Sequence, residues 1–134
     1  NDEWIRTRTG IESRHILAEE TLTDLAVKAA LSALDSAGLR GADLDLILGT
    51  TAQGEHITPA VAAAVQKAVG ADCPCMDLNA ACAGFIYGLD AALAYLESGK
   101  AKKILVLSAE GVSKASSFPA RMMPTRPQYS ASSM

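Results

Sequence analysis

The sequence predicts an α/β fold: a mostly parallel sheet with helices packed on both of its faces. Three observations carry this prediction. Helix-periodic segments alternate with short apolar runs, in the order helix, strand, helix, strand, helix, strand. The strand runs LDLILG (44–49), PCMDL (74–78) and KILVLS (103–108) are largely apolar at successive positions, so both faces of each need cover. Gly or Pro stands at most junctions between the segments.

Each element has its own local reason. Residues 1–16 show no apolar period and read as irregular. Residues 21–38 read as a helix. Thr21 or Thr23 is available as the cap, Leu22, Leu25, Ala26, Ala29, Ala30, Ala33, Leu34 and Ala37 recur at helical spacing, and Gly38 is the stop. A polar loop, 50–57, follows the first strand. Thr58 then reads as an N-cap with Pro59 in the first helical position, opening a helix that runs to Val69 and stops at Gly70. Residues 74–78 read as a buried strand. A helix from Cys82 to Ser98 is expected to present Phe85, Ile86, Leu89, Ala92, Leu93 and Leu96 on one face, with Gly99 as its stop. In such a sheet ligands bind beyond the carboxyl ends of the strands, which puts the loops 50–58 and 79–84 at the candidate site.

Composition narrows the function. The chain has 134 residues, 49% of them apolar, enough for the core of one domain. No apolar run is long enough to span a bilayer, and no basic segment followed by an apolar stretch opens the chain. Because it opens on Asn1, a processed chain or a fragment is expected. Aromatic residues at 4% and a net charge of −3 argue against a nucleic-acid partner. Residues 1–110 hold all fifteen acidic residues, whereas 111–134 hold none of them and three bases, Lys114, Arg121 and Arg126.

Cysteine usage points to a reducing compartment, hence the cytoplasm: three cysteines, an odd number, accompany no secretion signal. Cys73 and Cys75 lack the two-residue gap of a zinc-binding pair, and no metal site is expected. Both read as small core side chains. Cys82 differs. It lies in Asp77-Leu78-Asn79-Ala80-Ala81-Cys82-Ala83-Gly84-Phe85, between a strand and a helix, with small neighbours that leave its approach open. A thiol at a helix N-terminus is favoured as thiolate, and nearby backbone N–H groups can hold an oxyanion. The other reading of the same residues is a structural cysteine at a tight junction.

The segments Asn1-Asp-Glu-Trp-Ile-Arg-Thr-Arg-Thr-Gly-Ile11 and Ala80-Ala-Cys-Ala-Gly-Phe85 together resemble the β-ketoacyl-acyl-carrier-protein synthase III family of thiolase-like condensing enzymes. Ala37-Gly38-Leu39, Gly49-Thr50-Thr51, Thr58-Pro59-Ala60, Ser98-Gly99-Lys100 and Ser108-Ala109-Glu110 fit the same family. The resemblance implies a thiolase-like fold and an acyltransferase of type II fatty-acid synthesis. Cys82 stands at the family's nucleophile, which takes an acyl group from acyl-CoA. The thioester is then attacked by the carbanion from decarboxylation of malonyl-acyl carrier protein. No metal or redox cofactor is implied. Trp4 and Arg8, with Thr9 beside them, match positions that contact CoA. Ile57 falls where the family reaches into the acyl pocket of the second subunit of a homodimer, and Phe85 belongs to the acyl-pocket region.

The resemblance also implies what this stretch lacks. The family's catalytic histidine and asparagine belong to a later part of a longer chain. His15 and His56 match neither, and Asn79 is not the family's catalytic asparagine. The family's opening strand would precede Asn1. Condensation by this chain alone is therefore not expected. Residues 1–114 read as a partial N-terminal domain. Residues 115–134 read as a Pro- and Ser-rich tail, whose composition suits a truncated or frame-shifted end or a disordered one. Two alternatives remain: a related condensing enzyme of polyketide or hydroxymethylglutaryl-CoA type, and a non-catalytic piece that needs a partner chain.

Overall fold

A computed structural model describes residues 1–13, 15–54 and 56–115. The elements are α1 (Asp2–Thr9), α2 (Leu22–Ala37), β1 (Leu46–Thr50), α3 (Val61–Val69), β2 (Cys75–Leu78), α4 (Gly84–Glu97), β3 (Ile104–Ser108) and the single turn α5 (Val112–Ala115). The three strands form a parallel sheet in the order β2-β1-β3. Gly49 pairs with Asp77 on one side and Leu107 on the other, and Thr50 with Leu78 and Ser108. The α/β class and the parallel sheet are as expected. The expectation for residues 115–134 lies outside the described residues from position 116 onward.

Burial explains the order. Ile47 and Leu48 on the central strand are both 0% exposed although they point to opposite faces, so each face must be covered. On one face α2 supplies Leu22, Ala26, Ala30 and Leu34, and α3 supplies Val61, Ala62 and Val65, against Ile47, Leu105 and Leu107. On the other, α4 sets Ala92 against Leu46 and Leu48, with Ala101 beside them. Helix α2 has the expected ends. The Thr21 hydroxyl accepts the Asp24 N–H at 3.0 Å while the Asp24 carboxylate accepts the Thr21 N–H at 3.0 Å. Gly38 closes it in the left-handed conformation, φ 64°.

Four expectations change. Residues 2–9 are helical rather than irregular. Asn1 caps α1 by accepting the Trp4 N–H at 2.9 Å, and Asp2 and Glu3 lead while Arg6 and Arg8 trail, which suits the helix dipole. This helix buries no residue, so it left no apolar period to read. Helix α3 starts at Val61, not Pro59, because its cap comes from another element. The Asp77 carboxylate on β2 accepts the N–H of Val61 at 2.7 Å and of Ala62 at 2.8 Å. Strand β2 is half-buried, since it lies at a sheet edge and α4 packs chiefly on β1 and β3.

The fourth change concerns α4. Its sheet-facing side is Gly84, Gly88 and Ala92, not the large residues. A Cβ at Gly88 would lie 2.9 Å from Thr50 Cγ2 and 3.2 Å from Val106 Cγ1, so only a small residue lets the helix approach this closely. Phe85, Ile86, Leu89, Leu93 and Leu96 are exposed in consequence. The helix begins at Gly84, after a tight 3-10 turn over Ala81–Ala83.

Candidate active site

The carboxyl ends of the three parallel strands bring three loops together, and Ala52 is the point where they join. Its N–H donates to Glu110 Oε1, beyond β3, at 2.7 Å. Its carbonyl accepts from Asn79 Nδ2, beyond β2, at 3.1 Å. Below it the Thr51 N–H donates to the Leu78 carbonyl at 3.4 Å. The Thr51 hydroxyl is buried without a hydrogen-bond partner among the described residues.

Cys82 occupies the middle of the 3-10 turn that links this junction to α4. The Ala83 N–H donates to the Ala80 carbonyl at 3.0 Å and closes the turn. Ala81, just ahead of the cysteine, is held at φ 46°, a left-handed conformation uncommon for alanine. The Ala81 N–H donates to Asn79 Oδ1 at 3.2 Å. Cys82 is exposed, whereas Cys73 is buried and Cys75 half-buried. Burial pushes the Cys73 thiol up, with the neighbouring Cys75 adding to it, and burial followed by the Asp77 charge does the same to Cys75. The three sulfurs therefore divide into one accessible thiol and two held towards the neutral form.

The remaining candidates fall in three places. Trp4 and Arg8, one turn apart on α1, pair with the guanidinium 4.7 Å from the indole centroid, and the indole stays exposed. The Thr9 hydroxyl is engaged locally: it donates to the Ile5 carbonyl at 2.8 Å and accepts the Ile11 N–H at 3.2 Å. Phe85 lies in the first turn of α4, three residues after Cys82, and is exposed. Ile57, in the loop after β1, is 100% exposed, an open position for so apolar a side chain. His15 and His56 are both exposed. The sequence alone assigns Asn79 and Glu110 no task. The available signal was an asparagine two residues before a turn position, the pattern of a side chain that accepts a nearby backbone N–H.

Comparisons with known proteins identify the family of the chain. The family model described as 3-oxoacyl-[acyl-carrier-protein (ACP)] synthase III matches residues 76–123, which include Cys82. A β-ketoacyl-[acyl-carrier-protein] synthase III of Clostridium perfringens is 48% identical over 116 residues, covering 86% of this chain and 36% of its own. The crystal structure of the 3-oxoacyl-[acyl-carrier-protein] synthase III from Aquifex aeolicus superposes with a TM-score of 0.80 at 47% identity, over 85% of this chain and 37% of that one. The chain belongs to the β-ketoacyl-[acyl-carrier-protein] synthase III family. It spans a little over a third of the length of these synthase III relatives. Its helices around a small parallel sheet are part of the thiolase-like fold of synthase III. The priming β-ketosynthase from the R1128 polyketide biosynthetic pathway shares the architecture at 38% identity and a TM-score of 0.75, over 82% of this chain and 34% of that one.

Proposed function

We propose that this chain carries the acyl-accepting part of a β-ketoacyl-acyl-carrier-protein synthase III. Cys82 is the nucleophile. Its thiolate attacks the thioester carbonyl of a short acyl-CoA, the bond from carbonyl carbon to CoA sulfur breaks, and CoA leaves as a thiolate that takes a proton from solvent. In the full reaction, malonyl-acyl carrier protein loses CO2 and the resulting carbanion attacks the Cys82 thioester. The β-ketoacyl-carrier protein forms and the Cys82 thiolate is released. A thiolate suits both steps because it attacks and leaves readily. The observation that carries this reading is the single exposed thiol, set where three strand-end loops meet, in a chain 48% identical to a synthase III.

Trp4 and Arg8 form the CoA contact in this reading, with the indole lying against adenine and the guanidinium pairing with phosphate. Thr9 belongs to the same group, although its hydroxyl already bonds within α1. Ile57 and Phe85 border the acyl pocket, Ile57 from the second subunit of a homodimer. Ile57 is fully exposed, so its side chain is free to meet a second subunit. The setting is the cytoplasm, with an acyl carrier protein as partner. No helix among the described residues is long and apolar enough to cross a membrane. His15 and His56 are assigned no part in decarboxylation, so the chain alone is expected to stop at the acyl-enzyme.

Incubation with acetyl-CoA, followed by peptide mass spectrometry, tests the reading. One acetyl group on the peptide containing Cys82, lost in Cys82→Ala and absent from Cys73 and Cys75, is the expected result. Acylation elsewhere, or none, overturns it. Formation of β-ketoacyl product by the chain alone would overturn the restriction to the first half of the reaction. Sedimentation tests the dimer: Ile57→Glu is expected to shift it towards monomer.

A further inference from the structure

We infer that Asn79 is a positioning residue for the Cys82 thiol, acting through the backbone of Ala81 rather than on the substrate. This rests on the reading of Cys82 as the acyl acceptor. Asn79 follows the last residue of β2 and uses both ends of its amide. Oδ1 accepts the Ala81 N–H at 3.2 Å, and Nδ2 donates to the Ala52 carbonyl at 3.1 Å. Ala81 sits at φ 46°, where an L-residue with a Cβ is strained and stays only if its surroundings hold it there. Alanine has no polar side chain to stabilise that conformation, so the hold comes from a neighbour. Asn79 supplies it.

The consequence reaches Cys82 through one peptide plane. The backbone angles of Ala81, φ and ψ together, set the orientation of the link between Ala81 and Cys82, and with it the direction in which the Cys82 side chain leaves the turn. The other end of the Asn79 amide is anchored on Ala52, which Glu110 holds in its turn at 2.7 Å. Glu110, Ala52, Asn79 and Ala81 thus form a chain of contacts across the ends of all three strands. The thiol is set against β1 and β3 and not by its own loop alone.

The test compares the 134-residue chain with Asn79→Ala, Ala81→Gly and the double variant, reading the rate of Cys82 alkylation by iodoacetamide peptide by peptide, with Cys75 as internal control. Asn79→Ala is expected to slow Cys82 roughly fivefold or more while Cys75 stays within about twofold. Glycine adopts positive φ without strain, so Ala81→Gly in the Asn79→Ala background is expected to return the rate to within about twofold of the parent. An unchanged rate in Asn79→Ala, or a slowing that Ala81→Gly does not reverse, overturns the inference. Should Asn79→Ala fail to fold, Asn79→Ser keeps an oxygen that can accept the Ala81 N–H. A parental rate is expected there, and a loss of Cys82 reactivity without loss of fold overturns the inference. Failure of the parent chain to take acetyl from acetyl-CoA would sink the reading of Cys82 as acyl acceptor and leave the alkylation comparison standing on its own.

Discussion

The Asp77 carboxylate accepts the Val61 N–H at 2.7 Å, so the edge strand of the sheet caps a helix that precedes it in sequence. The second oxygen takes the Ala62 N–H at 2.8 Å, and no side chain of α3's own N-cap residue contributes. Asp77→Ala is therefore expected to destabilise the fold by about 1–2 kcal/mol, as loss of a side-chain cap does. Gly49 lies on the adjacent strand, and a Cβ there would fall 2.5 Å from Asp77 Oδ1 and 3.3 Å from Ala62 Cβ. Gly49→Ala should displace the carboxylate and lose the same cap. The two substitutions share one mechanism, so the double variant should cost less than the sum of the singles. Urea denaturation of the four proteins checks this, and strict additivity would contradict it.

Gly88 and Thr50 make a second such pair, across the other face. Gly88→Ala would place its methyl 2.9 Å from Thr50 Cγ2 and 3.2 Å from Val106 Cγ1. A helix interior gains up to about 1 kcal/mol from Gly to Ala, whereas overpacking costs about 1–3 kcal/mol. Thr50 is only 2% exposed on the central strand and cannot swing away, so the net effect is expected to be destabilising. Thr50→Ser removes the clashing methyl and keeps a hydroxyl that can donate to the Leu107 carbonyl. The double variant should recover most of the loss. A Gly88→Ala chain more stable than the parent would show that α4 can shift outward without cost.

These two pairs also show what the sequence could and could not disclose. The strands, α2, and the junction that carries Cys82 were legible because each rests on local signals: apolar runs, a capping threonine, a terminal glycine. The cap of α3 was not, because the carboxylate that accepts its first N–H groups lies sixteen residues beyond the helix start, in an element that only folding brings near. The packing face of α4 departs from its apolar periodicity for a related reason. Periodicity marks where large apolar side chains fall, and this helix meets its sheet through Gly84 and Gly88 instead. Helix α1 left no apolar trace because it buries nothing. At the site, the thiol was visible as a residue type at a junction. The roles of Asn79 and Glu110 became visible only when the loops beyond β2 and β3 met at Ala52.

Acid stability depends on the opposite end of the sheet. The Asp45 carboxylate accepts the N–H groups of Lys102 and Lys103 at 2.8 and 2.9 Å, and these bonds hold it below the ordinary carboxylate range. A group whose folded value is depressed contributes stability that is complete above its unfolded value, about 3.9, and is lost as pH falls through the folded value. Asp45→Asn should therefore be less stable than the parent at neutral pH, and the gap should close as the solution is acidified below about pH 4. Thermal midpoints of the two proteins across that range check the sign. A gap that widens on acidification would contradict it.

The three thiols test the arrangement from the alkaline side. Burial raises the Cys73 and Cys75 thiols, so each favours its neutral form in the fold more than in the unfolded chain. Their contribution to stability is complete below the unfolded value, about 8.5, and is lost as pH rises through the folded one. The thermal midpoint should fall above about pH 9, and Cys73→Ala, whatever its cost at neutral pH, should lessen that fall. Accessibility adds a second ordering. Iodoacetamide should label exposed Cys82 first, half-buried Cys75 more slowly, and buried Cys73 only as fast as the core opens. A little urea, short of the unfolding transition, should speed Cys73 and leave Cys82 almost unchanged, because only Cys73 waits on unfolding. Equal labelling of Cys73 and Cys82 in the folded chain would mean that the layer of α2 and α3 does not seal that face of the sheet.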